Sequence, residues 1–246
     1  METCLTKSFG LSLTVDPSEI PTEELRTLLS QHGVLLFRNR RMTKLSMSYV
    51  MSKLGKLQDW DEQQAPLSYT DKENLAMINL YNEDFLGKSR MAWHMDQTYL
   101  TTPYLPVRSL YTPFEPTPGN ITSFMDLKAY SNYLNQEYPE LINEQARYFI
   151  NANKENFNVR PVYSYCEHVG MNLFRLDSRM QFINPDVDID KFKKISKDAY
   201  DQTKRFNVNW KKWDFVIFDN NQSPHRRSEM AGECHLNRFT STFWLT

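Results

Sequence analysis

The chain has 246 residues, 40% of them hydrophobic and 13% aromatic, which is enough apolar material for a sizeable core. Its formal net charge of −1 creates no overall field that would attract nucleic acid or a membrane surface, so we expect neither as a partner. Three cysteines without a Cys-x-x-Cys pair argue against a disulfide framework or a zinc site. No apolar run approaches the roughly 18 residues of a membrane span, and no signal peptide is recognisable, so we expect a cytoplasmic protein.

Two amphipathic helices with a buried strand between them are predicted in the N-terminal region. The first covers residues 22–32, with Thr22 as its cap, and Gly33 ends it. The apolar run Val34–Phe37 predicts a buried strand. The second helix begins near Thr43, and its apolar side repeats at helical spacing. That side consists of Met47, Val50, Met51 and Leu54.

Short strands dominate the rest of the chain. They are expected at residues 75–80, 107–112, 121–124, 148–151, 159–163, 172–176, 215–218 and 239–245. Further helices are expected from Asp126, near 139–146, and over 190–202. Many short strands, few helices and no linker predict one mainly β domain over residues 1–246. We expect a sandwich or barrel with flanking helices.

A His-x-Asp pair, His94 and Asp96, is the first candidate for chemistry. On an extended segment residues i and i+2 point to the same side, so the two side chains would converge. They would supply two of the three ligands of a 2-His-1-carboxylate site, the usual site of catalytic non-haem Fe(II). Taken alone, the tripeptide is better explained as a hydrogen-bonded loop pair than as part of a metal site, and only the rest of the sequence favours the metal site. His225, just after the strand at 215–218, is the candidate third ligand, because strands distant in sequence are neighbours in a jelly roll.

Arg238, thirteen residues after His225, has a role in the same hypothesis. A 2-oxo acid that chelates iron leaves its far carboxylate in need of a cation. A guanidinium can bind this carboxylate with two parallel hydrogen bonds. A hydroxyl often shares this carboxylate, and Thr122 is the candidate.

Several motifs together resemble the taurine dioxygenase (TauD/TfdA-like) family of Fe(II)/2-oxoglutarate-dependent oxygenases. They are Trp93-His94-Met95-Asp96, Gly119-Asn120-Ile121-Thr122, Phe218-Asp219-Asn220 with His225, Arg238, and the N-terminal stretches 32–38 and 54–57. The resemblance implies a double-stranded β-helix (a cupin-like jelly roll), with Fe(II) held by His94, Asp96 and His225. It also implies 2-oxoglutarate held by Thr122 and Arg238, with O2 as the second cosubstrate and a segment inserted between the ligand motifs.

The same resemblance implies an enzyme that releases succinate and CO2 and oxidises a small polar metabolite, such as an amino acid derivative or a biosynthetic natural-product intermediate. Hydroxylation is the expected outcome, with desaturation or cyclisation as alternatives. Two alternative hypotheses remain: a catalytically idle jelly roll that binds a metal or ligand, and an oxygenase that acts on a protein side chain. A homo-oligomer is compatible with all three.

Two positions depart from the family and bear on the substrate. Where taurine dioxygenase has an arginine for the sulfonate, this chain has Thr242, which argues against taurine. Arg90, four residues before His94, is the alternative cation for a substrate anion, unless it is a solvent-exposed loop residue. Five further charged residues cannot be assigned between an ion-pair network, the surface and a substrate wall: Arg175, Asp177, Arg179, Arg226 and Arg227.

Overall fold

A computed structural model of the chain describes residues 9–59, 77–80, 90–100, 105–150, 155–167, 169–229 and 236–241, with the backbone alone for 78–80. Among these residues no helix combines the length and apolar character that a membrane span requires.

The largest sheet has six strands, of which all neighbouring pairs but one are antiparallel. Its members are β1 (Leu11–Leu13), β2 (Val34–Phe37), β3 (Met77–Leu80), β5 (Val107–Tyr111), β13 (Phe215–Asp219) and β15 (Leu236–Ser241). Their order across the sheet is β1-β2-β13-β5-β15-β3, so the strands that lie side by side come from distant parts of the chain.

A second, four-stranded antiparallel sheet faces the first. It contains β4 (Met91–His94), β6 (Ile121–Met125), β12 (Arg205–Asn209) and β14 (His225–Arg227), in the order β12-β6-β14-β4. One apolar cluster joins side chains from both sheets, including Val34, Leu36, Val216, Phe218 and Leu110 on one side and Phe124 and Val208 on the other. Two facing, mainly antiparallel sheets confirm the predicted jelly roll.

The N-terminal helices explain why the residues of β2, and all but the last residue of β13, are apolar. Successive strand residues point to opposite faces, so a strand covered on both faces needs apolar residues throughout. Leu35 and Ile217 pack with helices α1 (Thr22–His32) and α2 (Lys44–Ser52), whereas their neighbours face the second sheet.

The segment between the ligand motifs carries an additional set of elements. These are α3 (Leu127–Glu137), a 3-10 helix (Pro139–Asn143), β7 (Gln145–Phe149), β8 (Phe157–Pro161), β9 (Tyr163–Cys166), β10 (Met171–Phe174), β11 (Gln181–Phe182) and α4 (Ile189–Gln202). Their shared core includes Met95 and Tyr99, so this segment packs directly against the chain around the His-x-Asp pair.

Some predicted boundaries were wrong. Thr22 is the first helical residue and not the cap, because Pro21 occupies that position and makes no side-chain cap bond. The predicted helix at 139–146 is a short 3-10 helix, since Glu144 is extended and strand β7 starts one residue later. By contrast, Thr43 does cap α2 and Asp126 does cap α3. Residues 75–76, 151 and 242–245 of three predicted strands lie outside the described part of the chain.

Candidate metal centre and cosubstrate site

The two histidines are brought together by one strand pair of the four-stranded sheet. His94 ends β4, His225 begins β14, and the two residues are direct partners in the antiparallel register. Their ring centroids lie 4.5 Å apart. Asp96 follows in a turn, so the prediction that it shares an extended segment with His94 was wrong. The chain bends there and Gln97 adopts a φ of 57°. The three side chains nevertheless converge, with one ligand atom of each within 4.8 Å of the others.

The orientation of His94 leaves one ring nitrogen available as a ligand. Its Nδ1 lies 2.8 Å from the carbonyl oxygen of Ala92, to which Nδ1–H can donate. Such a bond fixes the tautomer and directs Nε2 outward, as is usual for metal-binding histidines. Nε2 lies 3.7 Å from Asp96 Oδ1, and Nε2 of His225 lies 4.0 Å from Asp96 Oδ2.

The protonation states of the site suit metal binding. Burial, assisted by the neighbouring His94, lowers the pKa of His225 to about 3, so this imidazole is neutral at neutral pH. Burial by itself would raise the pKa of Asp96, but Arg108 and the other surrounding cations hold it well below its usual range. Neutral imidazole and ionised carboxylate are the forms that bind metal. Two imidazoles and one carboxylate are also the donor set of non-haem Fe(II) oxygenases, so the residues fit this metal.

Two residues that the sequence did not single out as functional hold Asp96. Arg108, on β5 of the opposite sheet, places Nε 2.7 Å from Asp96 Oδ2, and its side chain is 2% exposed. Asn220 binds the main chain of Asp96 at both its groups: its Oδ1 accepts from the Asp96 N–H at 2.9 Å, and its Nδ2 donates to the Asp96 carbonyl at 2.8 Å. A charged residue within the fully buried strand Val107–Tyr111 was the signal that could have identified Arg108.

Arg238 provides a buried cation beside the triad, as predicted. Its side chain is 13% exposed, and its Nη1 lies 3.9 Å from Asp96 Oδ2. Within the described residues its Nε is buried without a hydrogen-bond partner. Burial and the nearby Arg108 lower the pKa of Arg238 to about 9, although Asp96 opposes this shift. A buried guanidinium with an open hydrogen-bonding edge fits the far carboxylate of 2-oxoglutarate.

Thr122 lies on β6 and is buried, with its Oγ1 accepting a 2.9 Å hydrogen bond from the indole N–H of Trp210. Because a hydroxyl is both donor and acceptor, its proton remains able to bind a carboxylate oxygen. The joint role of Thr122 and Arg238 in holding 2-oxoglutarate stays a prediction. So does a role for Arg90, which is exposed just before β4, and Thr242 lies outside the described residues.

The structure also places the five charged residues that the sequence left open. Asp177 is an internal structural residue that accepts bonds from Arg179 and from the hydroxyl of Thr98. Arg175 donates to the Thr98 carbonyl and to Ser164, so these side chains form an internal network.

Arg226 and Arg227 lie on opposite faces of β14. Arg226 stacks over the ring of Trp93, 5.0 Å from its centroid, away from the triad. Arg227 is buried, shares the strand face of His225, and is the cross-strand partner of Thr122. Arg227 therefore belongs to the interior wall near the site.

Comparisons with known proteins identify the family of the chain and solved structures with the same fold. The family model for the taurine catabolism dioxygenase TauD, TfdA family matches residues 4–240. A putative alpha-ketoglutarate-dependent taurine dioxygenase from Burkholderia xenovorans has a similar structure, with a TM-score of 0.75 and 13% identity over 96% of this chain and 89% of that one. A comparison with curated proteins gave no match.

Two further solved structures share the fold. PvcB from Pseudomonas aeruginosa, an Fe, alpha-ketoglutarate dependent oxygenase from an isonitrile synthetic pathway, has a TM-score of 0.72 and 19% identity over 94% of this chain and 85% of that one. AAD-2, solved in complex with Mn(II) and N-oxalylglycine, has a TM-score of 0.75 and 14% identity over 96% of this chain and 94% of that one.

Proposed function

The chain belongs to the taurine catabolism dioxygenase TauD, TfdA family, and we propose that it is an Fe(II)/2-oxoglutarate-dependent dioxygenase that oxidises a C–H bond of a small polar metabolite. One observation supports this most strongly. The ligand atoms of His94, Asp96 and His225 lie within 4.8 Å of one another, beside the buried guanidinium of Arg238. Iron, 2-oxoglutarate and O2, when bound, supply an oxidant that removes hydrogen from carbon, with release of succinate and CO2.

The residues of the site have separate roles in binding the metal and the cosubstrate. The two imidazoles and the Asp96 carboxylate would hold Fe(II) on one side only, which leaves three positions for 2-oxoglutarate and O2. Arg238 would bind the far carboxylate of 2-oxoglutarate, and Thr122 would donate a hydrogen bond to the same group. Because Asp96 supplies the carboxylate ligand, no ligand position is reserved for a halide, so hydroxylation is favoured over halogenation.

We propose a polar substrate because of the interior wall beside the triad. Arg227 is buried there on the strand face of His225 and is the direct cross-strand partner of Thr122. A wall with buried guanidinium groups disfavours an apolar substrate and suits an amino acid derivative or a natural-product intermediate. The similar fold of PvcB, an oxygenase from an isonitrile synthetic pathway, supports a role in the synthesis of a small molecule. Desaturation or cyclisation of the same substrate is the alternative outcome.

The test is succinate formation from 2-oxoglutarate by the Fe(II)-loaded protein, across a panel of amino acids and their derivatives. Stimulation by one compound, and its loss in His225→Ala, would support the proposal and identify the substrate class. Metal and 2-oxoglutarate binding without turnover on any member would instead favour an idle binding protein. Turnover only with a peptide would favour an oxygenase of protein side chains.

A further inference from the structure

Arg108 has no role in the proposed chemistry, yet it makes the closest contact to the triad. Its side chain is 2% exposed, and its Nε lies 2.7 Å from Oδ2 of Asp96. It stands on β5, in the centre of the six-stranded sheet, whereas Asp96 follows β4 of the other sheet. The ion pair therefore connects the two sheets across the interior of the jelly roll at the site.

The guanidinium is itself held in place by the neighbouring strand. Thr240 on β15 is the direct cross-strand partner of Arg108, and its Oγ1 accepts a 2.5 Å hydrogen bond from Nη1. Thr240 is fully buried. Arg108 thus has Nη1 bonded to Thr240 while Nε is in close ion-pair contact with Asp96, and the rigid, planar guanidinium can hold both contacts at once where an ammonium group cannot.

The two oxygens of Asp96 are consequently in different environments. Oδ2 is paired with Arg108, while Oδ1 is directed toward His94, with Nε2 3.7 Å away. Meanwhile Asn220 fixes the main chain of Asp96 on both sides of the residue. Because Arg108 already engages Oδ2, although Oδ2 also lies 4.0 Å from His225 Nε2, an aspartate held in this way favours Oδ1 as its single metal-binding oxygen.

We infer that Arg108 is a positioning residue that holds Asp96 as a one-oxygen metal ligand and thereby keeps a coordination position open for the cosubstrates. This inference rests on the proposed function, because it requires a metal at the triad. It assigns to Arg108 an effect on metal binding that acts through Asp96 and needs no contact with 2-oxoglutarate.

The experiment is calorimetric titration of the purified metal-free protein with Mn(II), without 2-oxoglutarate, on four variants. Arg108→Met should weaken Mn(II) binding about 10- to 100-fold, the usual effect of losing a partner that orients a metal ligand. Arg108→Lys should lose an intermediate amount of Mn(II) affinity, because lysine keeps the positive charge but cannot contact Asp96 and Thr240 with separate nitrogens of one planar group. Thr240→Val keeps the Arg108 side chain but removes the hydrogen bond that fixes it, so this variant should bind Mn(II) severalfold more weakly. Arg226→Met is the matched control, because this arginine faces away from the triad, and it should bind like the wild type.

The outcomes separate the two proposals. If the wild-type protein binds no Mn(II) at a single site, the proposed function fails. If it does bind Mn(II) and Arg108→Met binds with wild-type affinity, the inference is overturned. A higher 2-oxoglutarate requirement in that variant would then identify Arg108 as a cosubstrate residue. Should Arg108→Met fail to fold, Thr240→Val decides, and an unchanged Mn(II) affinity in that variant overturns the inference as well.

Discussion

Replacing Arg238 by methionine should have two opposite effects, one on cosubstrate binding and one on stability. The guanidinium is 13% exposed, and within the described residues its Nε has no hydrogen-bond partner. Its one carboxylate neighbour among the described residues is Asp96, 3.9 Å away, and the far carboxylate of 2-oxoglutarate is expected to bind it more closely. Methionine is unbranched like the arginine stem and fills much of the same space without the charge.

The size of each effect follows from the charge. Truncating one partner of a buried, hydrogen-bonded charge pair costs about 2–5 kcal/mol, which corresponds to roughly 30-fold to several thousand-fold weaker 2-oxoglutarate binding. In the protein without 2-oxoglutarate, the same charge has the opposite effect, because it lowers the stability of the fold. Burial lowers the pKa of Arg238 from 12.5 to about 9, so the charged form destabilises the fold at every pH below about 9. Removing the charge should raise the free energy of unfolding by up to a few kcal/mol, at about 1.4 kcal/mol for each pKa unit.

Both effects can be measured on the same preparation. Anaerobic titration of the Fe(II)-loaded protein with 2-oxoglutarate, followed by the visible charge-transfer absorption of the chelate, gives the affinity. Urea unfolding of the metal-free protein, followed by tryptophan fluorescence, gives the stability. Arg226→Met should change neither strongly. The reasoning is refuted if Arg238→Met binds 2-oxoglutarate as the wild type does, or if its urea midpoint falls well below that of the wild type.

Three further outcomes are expected. Thr122→Val should weaken 2-oxoglutarate binding only about 5-fold, the value of one hydrogen bond near 1 kcal/mol, and a loss equal to that of Arg238→Met in the same titration would contradict the assigned roles. Asn220→Ala should destabilise the protein by about 1–3 kcal/mol in urea unfolding, because the buried N–H of Asp96 loses its partner, and it should also weaken Mn(II) binding in calorimetry. The folded protein, with the pKa of His225 near 3, binds no proton at this residue between about pH 6.5 and 4, whereas the unfolded chain does. Stability of the metal-free protein should therefore fall as the pH drops through this window, by up to about 1.4 kcal/mol per pH unit from His225, and urea unfolding of His225→Gln should show a shallower decline.

The sequence predicted most of the fold because local rules and global packing agree in its strongest segments. Val34–Phe37 is a strand with the predicted bounds, and β13 extends one residue beyond the predicted 215–218. Prediction failed where a short polar segment leaves the choice of structure to its neighbours. The chain after Pro139 turns into strand β7, because that strand is paired on both sides, by β8 and β11, and no periodicity within 139–146 reports these partners.

The candidate site shows a similar division. The three candidate ligands could be proposed from the sequence because the metal constrains residue types, and a His-x-Asp pair with a distant histidine is a recognisable pattern. The residues that orient the ligands carry no such pattern. Arg108 lies twelve positions after Asp96 on the opposite sheet, and only the three-dimensional pairing of the sheets brings them to 2.7 Å. The opposite orientations of Arg226 and Arg227 likewise depend on the register of β14, which the sequence alone does not fix.

The segment between β13 and His225 explains why the N-terminal helices belong to the architecture of the site. Four consecutive buried polar residues there each bind a main-chain group in another part of the chain. The pairs are Asn220 with Asp96, Asn221 with Leu105, Gln222 with Ser30, and Ser223 with Gly33. Two of these partners lie at the end of α1 and just beyond it, and the first is a candidate metal ligand. Since buried polar groups are costly when left unpaired, a change at the end of α1 would disturb the same short segment that positions Asp96 and leads into His225. The helix that appears remote from the triad in the sequence is therefore coupled to it through this segment.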